Sequence, residues 1–224
     1  LSSESKNSFQ QFVDILGTAS NASRTYIFIN HTNEKGEALM SQKAEYCAEE
    51  IKPEIDNPDL QNLKYDEFFI RWRKTLSQGE IIFGKIKDFP KSEKEFLEVQ
   101  DIKAILIIPI MSDKEFIGFI GFDNCISERE WDSAEQNFLQ AAANDLAQFI
   151  ERSKSQEKLK AEYIRFQTTM DAIDAVVYVA DMKTHELIFL NKYGKEIFGD
   201  KIGEKCFSVL QEWQTKTCDF CTNH

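Results

Sequence analysis

The chain has 224 residues, 42% of them hydrophobic and 29% charged, with a formal net charge of −11 and a pI near 4.9. That composition fits one or two ordinary globular domains rather than a disordered chain, and the acidic balance argues against nucleic acid or an anionic membrane surface as a partner. No apolar run approaches the roughly 18 residues of a membrane span, no leader peptide is visible, and five unevenly spread cysteines do not suggest a secreted disulfide framework; the expected compartment is the cytoplasm, and Leu1 in place of Met reads as the start of an excised piece.

In chain order, Phe9, Phe12, Val13 and Leu16 mark an amphipathic helix expected to end at Gly17. Arg24 to His31 alternates Tyr26, Phe28 and Asn30 against Thr25, Ile27 and Ile29, the pattern of a central strand. Turn residues follow from Thr32 to Gly36, and Glu37 to Ala48 reads as the returning strand of a hairpin. Pro53, Asn57 and Pro58 make the next stretch irregular. Tyr65, Phe68, Phe69, Trp72 and Leu76 form one helical stripe closed by Gly79, then Ile81 to Ile86 a strand. Ser92 and Glu95 have capping-box spacing ahead of a short helix with Phe96, Leu97 and Val99. Ala104 to Met111 and Glu115 to Asp123 read as two more strands. The fold class is α+β: an antiparallel sheet flanked by helices, with a helix at each end.

The longest element is expected from about Trp131 to Ile173, announced by a Ser127-x-x-Glu130 capping box and free of Pro and Gly until Gly194. Steps of four and three from Phe138 meet Ala142, Asp145, Phe149, Arg152, Gln156, Leu159, Tyr163, Phe166, Met170 and Ile173, and eight of these eleven are apolar. That is a 3.5-residue period, on a helix roughly 60 Å long if unbroken. It reads as a connector between domains and as a homodimer seam from Phe138 to Ile173; the alternative is a surface helix folded back on one domain.

At Ile105 to Ile110, Gly118 to Asp123 and Arg129-Glu130-Trp131, together with Ser23 to Phe28, Asp56-Asn57-Pro58 and Arg71-Trp72, the sequence resembles a GAF domain of bacterial multidomain sensors. The resemblance implies a sensory and dimerisation module over residues 1–150, with a small-ligand pocket between sheet and helices. Some members bind cyclic nucleotides or tetrapyrroles; the cyclic-nucleotide motif is not recognisable here. Residues 151–172 form the helical linker, on a helix that begins near residue 130. After it, Ala175 to Asp181 and Glu186 to Asn191 read as strands around a Met182 to His185 turn, and Lys192 to Phe198 as a helix ended by Gly199. An Asp closing the first strand and an Asn closing the second resemble the opening of a PAS domain over 173–224. The elements that normally complete such a domain are lacking, which we read as a domain cut short rather than degraded.

No Gly-rich phosphate loop, Ser-His-Asp order or Asp-x-Asp signature appears, so no catalytic residue is assigned. The candidate ligand-binding residues are Tyr26, Phe28 and Asn30 on the strand and Trp72 on the helix expected to cover it, with Arg71 to pair with an anion; the alternative is that these aromatics are core and Arg71 a surface ion pair. Cys206, Cys218 and Cys221 are candidate metal ligands, His224 a weak fourth, with a redox dithiol or inert thiols as alternatives. Cys47, Cys125 and His31 are conceivable haem ligands, but neither Cys has the adjacent His of a covalent bilin site. No cofactor is named. The expected function is that of a sensory module relaying a small ligand or redox state through a dimeric helix to an output domain (a histidine kinase or nucleotide cyclase) outside this chain. The rivals are a ligand-free dimerisation scaffold and a GAF-fold enzyme such as a methionine sulfoxide reductase, for which the required cysteine set is not seen.

Overall fold

A computed structural model describes residues 3–211, 214–219 and 221. The chain divides into two compact units, Leu1–Ser153 and Lys154–His224.

In the first unit α1 (Ser3–Ser20) leads into the hairpin of β1 (Arg24–Thr32) and β2 (Ala38–Cys47). A short edge strand β3 (Leu63–Lys64), α2 (Tyr65–Phe68), α3 (Ile70–Ser77), β4 (Ile82–Lys85) and α4 (Lys91–Glu98) follow, then the second long hairpin, β5 (Ala104–Ser112) and β6 (Glu115–Asn124), and α5 (Ser133–Asp171). The sheet order is β3-β2-β1-β6-β5-β4, and every pairing is antiparallel. The two hairpins therefore meet along β1 and β6, with Arg24 opposite Asp123 and Phe28 opposite Phe119.

Both faces of the sheet are buried, which explains why β5 is apolar throughout instead of alternating. Leu106, Ile108 and Ile110 join α1 and α5 in one core; Ile105 and Ile107 join α2, α3 and α4 in the other. Pro109 is tolerated in β5 because β4 pairs only with Ala104 to Ile107, so the missing N–H lies beyond the ladder. The β1 alternation sorts as expected, Ile27 and Ile29 to the α1/α5 face and Tyr26 and Phe28 to the other.

Four expectations need correction. Gly17 lies inside α1, which runs on to Ser20; a Cβ there would sit 2.0 Å from the Tyr46 ring, so the glycine serves close packing on β2 rather than helix termination. The expected stripe from Tyr65 to Leu76 breaks into two helices at Phe69 (φ −123°, ψ 31°); the side chain of Phe68 lies outside the described residues. α4 has no side-chain cap at its start, so the Ser92 capping box does not form. The α5 box is built not on Ser127 and Glu130 but on Asp132 and Glu135, which exchange backbone-to-carboxylate bonds of 3.1 and 2.8 Å. Ser127 instead turns back to Asn124, donating its N–H to Oδ1 at 2.8 Å.

α5 buries Leu139, Ala143, Leu146, Ala147 and Ile150 against the sheet. Phe138, the first residue of the expected seam, is 57% exposed, and Phe149 packs edge-on against Phe9 of α1 at 6.5 Å. The core-facing stripe is thus one residue round from the 3.5-residue row. Beyond Ser153 the row continues on the outside, with Leu159 72% and Tyr163 56% exposed.

The second unit contains the last part of α5, a hairpin of β7 (Tyr178–Ala180) and β8 (Leu187–Leu190), α6 (Lys192–Phe198) and α7 (Cys206–Leu210). Both strands are shorter than expected because Asn191, fully buried, takes over the pairing of the chain before β7. Its Oδ1 accepts from Val177 N and Gly194 N at 3.0 Å each, and its Nδ2 donates to Met170 O and Ala175 O at 3.0 and 2.9 Å. One side chain caps α6 and closes the end of α5. Asp181 builds the hairpin turn through the N–H groups of Lys183 and Thr184, and Phe166 of α5 packs on Phe189 at 5.3 Å.

Candidate functional site

The sheet face away from α1 and α5 is roofed by α3 and α4, and between them lies a small cavity. Its walls are Tyr26, Phe28 and Phe119 from the sheet, with Phe69 at the break before α3, Trp72 of α3 and Phe96 and Leu97 of α4 above. One end is polar, formed by Arg24, Gln42 and Glu45. The cavity volume is about 30 Å³, which at roughly 10–15 Å³ per water accommodates about two waters.

The polar end is a buried charge cluster set by strand register. Arg24 starts β1 on the same face as Tyr26, between Glu45 of β2 and Asp123 of β6. Its guanidinium lies 3.5 Å from Glu45 and 3.6 Å from Asp123, and Nη2 donates to the Lys52 carbonyl at 3.1 Å. Both carboxylate contacts are ion pairs too long for good hydrogen bonds. Glu45 accepts from Glu54 N, Ile55 N and Gln42 Nε2. Tyr26 donates its hydroxyl to Asp123 Oδ1 at 2.9 Å, and its ring lies where a side chain on Gly121 would be, 2.2 Å from that Cβ position. Gly118 likewise admits the β1 backbone, so both glycines serve the close approach of the neighbouring strand. Among the described residues Arg24 Nε and Nη1, Gln42 Oε1 and Asp123 Oδ2 have no hydrogen-bond partner.

Burial dominates the electrostatics. It pushes Asp123 up to about 7, against the pull of Arg24 and Tyr26. Burial opposes the Arg24 charge, but Asp123, Cys125 and Glu45 outweigh it and raise its pKa. The thiols of Cys47 and Cys125, flanking this end of the sheet, are each pushed up to about 11, first by burial and then by Glu45 and Asp123 respectively.

Of the candidate binding residues, Tyr26, Phe28 and Trp72 line the cavity. Asn30 and Arg71 do not. Asn30 donates to Phe116 O at 2.9 Å and accepts from Tyr65 Oη at 2.7 Å, a bracket from β1 to β6 and α2. Arg71 is committed to Glu93 of α4 through Nε and Nη2, at 2.9 and 2.6 Å, and the same carboxylate accepts from Trp72 Nε1 at 2.8 Å. This buried Glu93 latch joins the two roof helices, and nothing in the local sequence announced it. Arg24, Gln42, Glu45 and Asp123 were also missed as a site; the signal available was a charged residue in phase with Tyr26 and Phe28 at the start of a central strand. His31, rather than facing the cavity, meets Asn62 Oδ1 at 3.0 Å.

In the second unit Cys206 opens α7, while the Cys218 thiol contacts Gln214 and Cys221 N donates to Cys218 O across a turn. Burial raises the pKa of Cys206, with Cys218 and Cys221 adding to the effect. Among the described residues no group of three or more His, Cys, Asp or Glu is arranged to hold a metal ion; His224 lies outside the described residues.

The model of the GAF domain family matches residues 6–150. The chain belongs to that family. A curated relative, the methanogenesis regulatory histidine kinase FilI of Methanothrix harundinacea, is 38% identical over 163 residues, 73% of this chain and 18% of that one. The chain thus spans under a fifth of that relative's length. The PixJ GAF domain of Thermosynechococcus elongatus in its blue-light absorbing form is similar in structure (TM-score 0.59, 18% identity, covering 70% of this chain and 90% of that one). So are a domain of a sensor histidine kinase protein from Sinorhizobium meliloti (TM-score 0.53, 20% identity, 74% and 100% covered) and a phycocyanobilin-bound GAF domain of a cyanobacterial phytochrome (TM-score 0.56, 16% identity, 67% and 86% covered). At those identities the likeness speaks for the fold. This GAF domain is homologous to a regulatory histidine kinase, and among the described residues no helix is long and apolar enough to cross a membrane.

Proposed function

We propose that the chain is a sensory module of a histidine-kinase-type protein, in which the GAF cavity takes up a small ligand and α5 passes the state of the domain, as a dimer, to a following PAS-like unit and an output domain. One observation carries this reading: α5 is a single 39-residue helix whose first part supplies a wall of the GAF core while its later part keeps an apolar 3.5-residue row exposed. A row at Leu159, Phe166 and Ile173 suits a partner helix with the same period, that is, a second copy. Rotation or axial shift of α5 would then couple the cavity to the output as a shift between two packings. Within the second unit, Asn191 caps the start of α6 and closes the end of α5. The hairpin closed by Asp181 and Asn191 supports the PAS-like reading of residues 173–224.

Leu159→Lys with Phe166→Lys is expected to convert a dimer to a monomer in light scattering while the unfolding transition of the GAF core is retained. A wild-type monomer, or a dimer indifferent to both changes, would sink the transmission route.

The cavity size favours a second reading, the ligand-free scaffold, since pockets for drug-sized ligands run to roughly 300–1,000 Å³ and this one holds about 30 Å³. A tetrapyrrole does not fit it. Redox sensing at Cys47 or Cys125 is disfavoured too, because thiols pushed up to about 11 stay protonated and poorly nucleophilic at neutral pH.

A further inference from the structure

One guanidinium stands between two carboxyl groups and is hydrogen-bonded to neither. Arg24 Nε lies 3.5 Å from Glu45 and Nη1 lies 3.6 Å from Asp123. Neither nitrogen, nor Asp123 Oδ2, has a hydrogen-bond partner among the described residues. All three side chains are at most 4% exposed. With both carboxyls ionised the cluster therefore carries one buried negative charge without a counter-charge, which is costly. A proton on one of the two removes it.

Hydrogen bonding decides which one. Glu45 accepts from Glu54 N at 2.8 Å and Ile55 N at 2.9 Å on one oxygen and from Gln42 Nε2 at 3.2 Å on the other. Asp123 accepts from Tyr26 Oη at 2.9 Å on Oδ1 and keeps Oδ2 open. Donors aimed at a carboxylate favour its ionised form, so the proton goes to Asp123. Burial pushes that carboxyl up to about 7, which puts the changeover near neutrality. The other titratable groups facing the cluster are Tyr26 of β1, Cys47 of β2 and Cys125 of β6; burial raises all three, so they keep their protons there. The Lys52 side chain points outward, 85% exposed, and pairs with Glu54 at 3.4 Å.

The third arm of the guanidinium reaches out of the sheet: Nη2 donates to Lys52 O at 3.1 Å, next to the two N–H groups that Glu45 holds. The segment after β2 is thus pinned by Arg24 and Glu45 together. β2 and β6 flank β1 on opposite sides, and the guanidinium is a rigid planar fork, so a step toward Asp123 is a step away from Glu45. We propose that Arg24 is a proton-operated latch: with Asp123 protonated it serves Glu45 and the Lys52 carbonyl and pins residues 52–55, and with Asp123 ionised it turns to Asp123 and loosens that hold. Arg24 and Glu45 also line the cavity, so the same step reshapes its polar end. The latch needs no ligand, and its failure leaves the sensory reading above untouched.

The test is an NMR pH titration of the ¹³C,¹⁵N-labelled chain, following the Asp123 carboxyl carbon, the Arg24 Nε–H and the Lys52 carbonyl carbon. All three signals are expected to move together, with one midpoint near 7. In Asp123→Asn the Arg24 and Lys52 signals are expected to stay flat at their low-pH positions. The chain's three histidines titrate in the same range and remain in that variant, so a curve that survives Asp123→Asn overturns the latch. Should Asp123→Asn fail to fold, Glu45→Gln serves: it removes the competing carboxylate, and the common midpoint is expected to fall as Arg24 turns wholly to Asp123. An Asp123 carboxyl that titrates while Arg24 and Lys52 stay still, or one that does not titrate near neutrality, overturns it as well.

Discussion

Asp123 is fully buried, and its carboxyl is pushed from 3.8 up to about 7, chiefly by burial. A carboxyl whose folded-state pKa is raised favours the fold while protonated. That contribution is complete below about pH 4, where the unfolded chain also holds the proton, and is lost as pH rises toward 7. At about 1.4 kcal/mol per pH unit the loss is roughly 4 kcal/mol. Asp123→Asn keeps an acceptor for Tyr26 but cannot ionise. Urea unfolding of the two proteins is therefore expected to show wild type losing several kcal/mol relative to the variant between pH 4 and 7.5, with little change above that. A pH-independent difference would mean that Arg24 holds Asp123 ionised throughout. The same residue scale explains Gly118, where a Cβ would stand 2.2 Å from the Phe28 carbonyl oxygen; no rotamer relieves a clash with backbone.

At the scale of elements, the roof depends on one side chain of α4. Glu93 is buried and accepts from Arg71 twice and from Trp72 once. The Arg71 side chain is 43% exposed, so the Coulombic part of the pair is screened; the larger cost of losing Glu93 is the buried indole N–H left without an acceptor. Glu93→Ala should cost about 3 kcal/mol and Glu93→Gln, which retains an acceptor for Trp72, about half of that. The two urea midpoints decide between this account and a purely ionic one, in which both variants would lose alike and high salt would abolish the difference. Helix ends follow similar logic: Arg129 stacks on Trp131, pairs with Glu135 at the start of α5, and donates to Ser20 O and Asn21 O at the end of α1. That one side chain ties the start of α5 to the end of α1.

For the whole molecule, the two units differ in how much apolar surface they bury. Both hydrophobic cores of the first unit are made entirely of residues between Phe9 and Ile150. In the second, Leu187, Phe189 and Leu190 are the buried apolar residues among those described. A fragment ending at Ser153 is accordingly expected to unfold cooperatively, with a midpoint close to that of the full chain, whereas residues 154–224 alone are expected to show no cooperative transition, since so small a core cannot offset the chain entropy. Circular dichroism melts of both fragments test this; a cooperative 154–224 fragment would show that the Asn191 network stabilises more than its hydrogen bonds suggest.

By itself the sequence determined the two long hairpins and the two-sided sheet they form, because period-two alternation in β1 and an unbroken apolar run in β5 are local consequences of which faces are buried; the edge strand β3 lies where the sequence reads as irregular. It also determined that a long helix follows the sheet, since Pro and Gly are missing over the whole stretch. What it left open were matters settled by atoms distant in sequence. Asp132 rather than Ser127 caps α5, because Asn124 has already engaged Ser127. Gly17 lies within a helix, because Tyr46 of the next strand fills the space beside it. Arg71 and Asn30 are spent on structure, because Glu93, Tyr65 and Phe116 reach them first. The buried cluster at the polar end of the cavity joins Arg24, Gln42 and Glu45, which line it, to Asp123 behind Arg24, from three strands, and only strand register brings them together: a charge buried in a sheet has no periodicity of its own, and its meaning depends on what the fold places within about 4 Å of it.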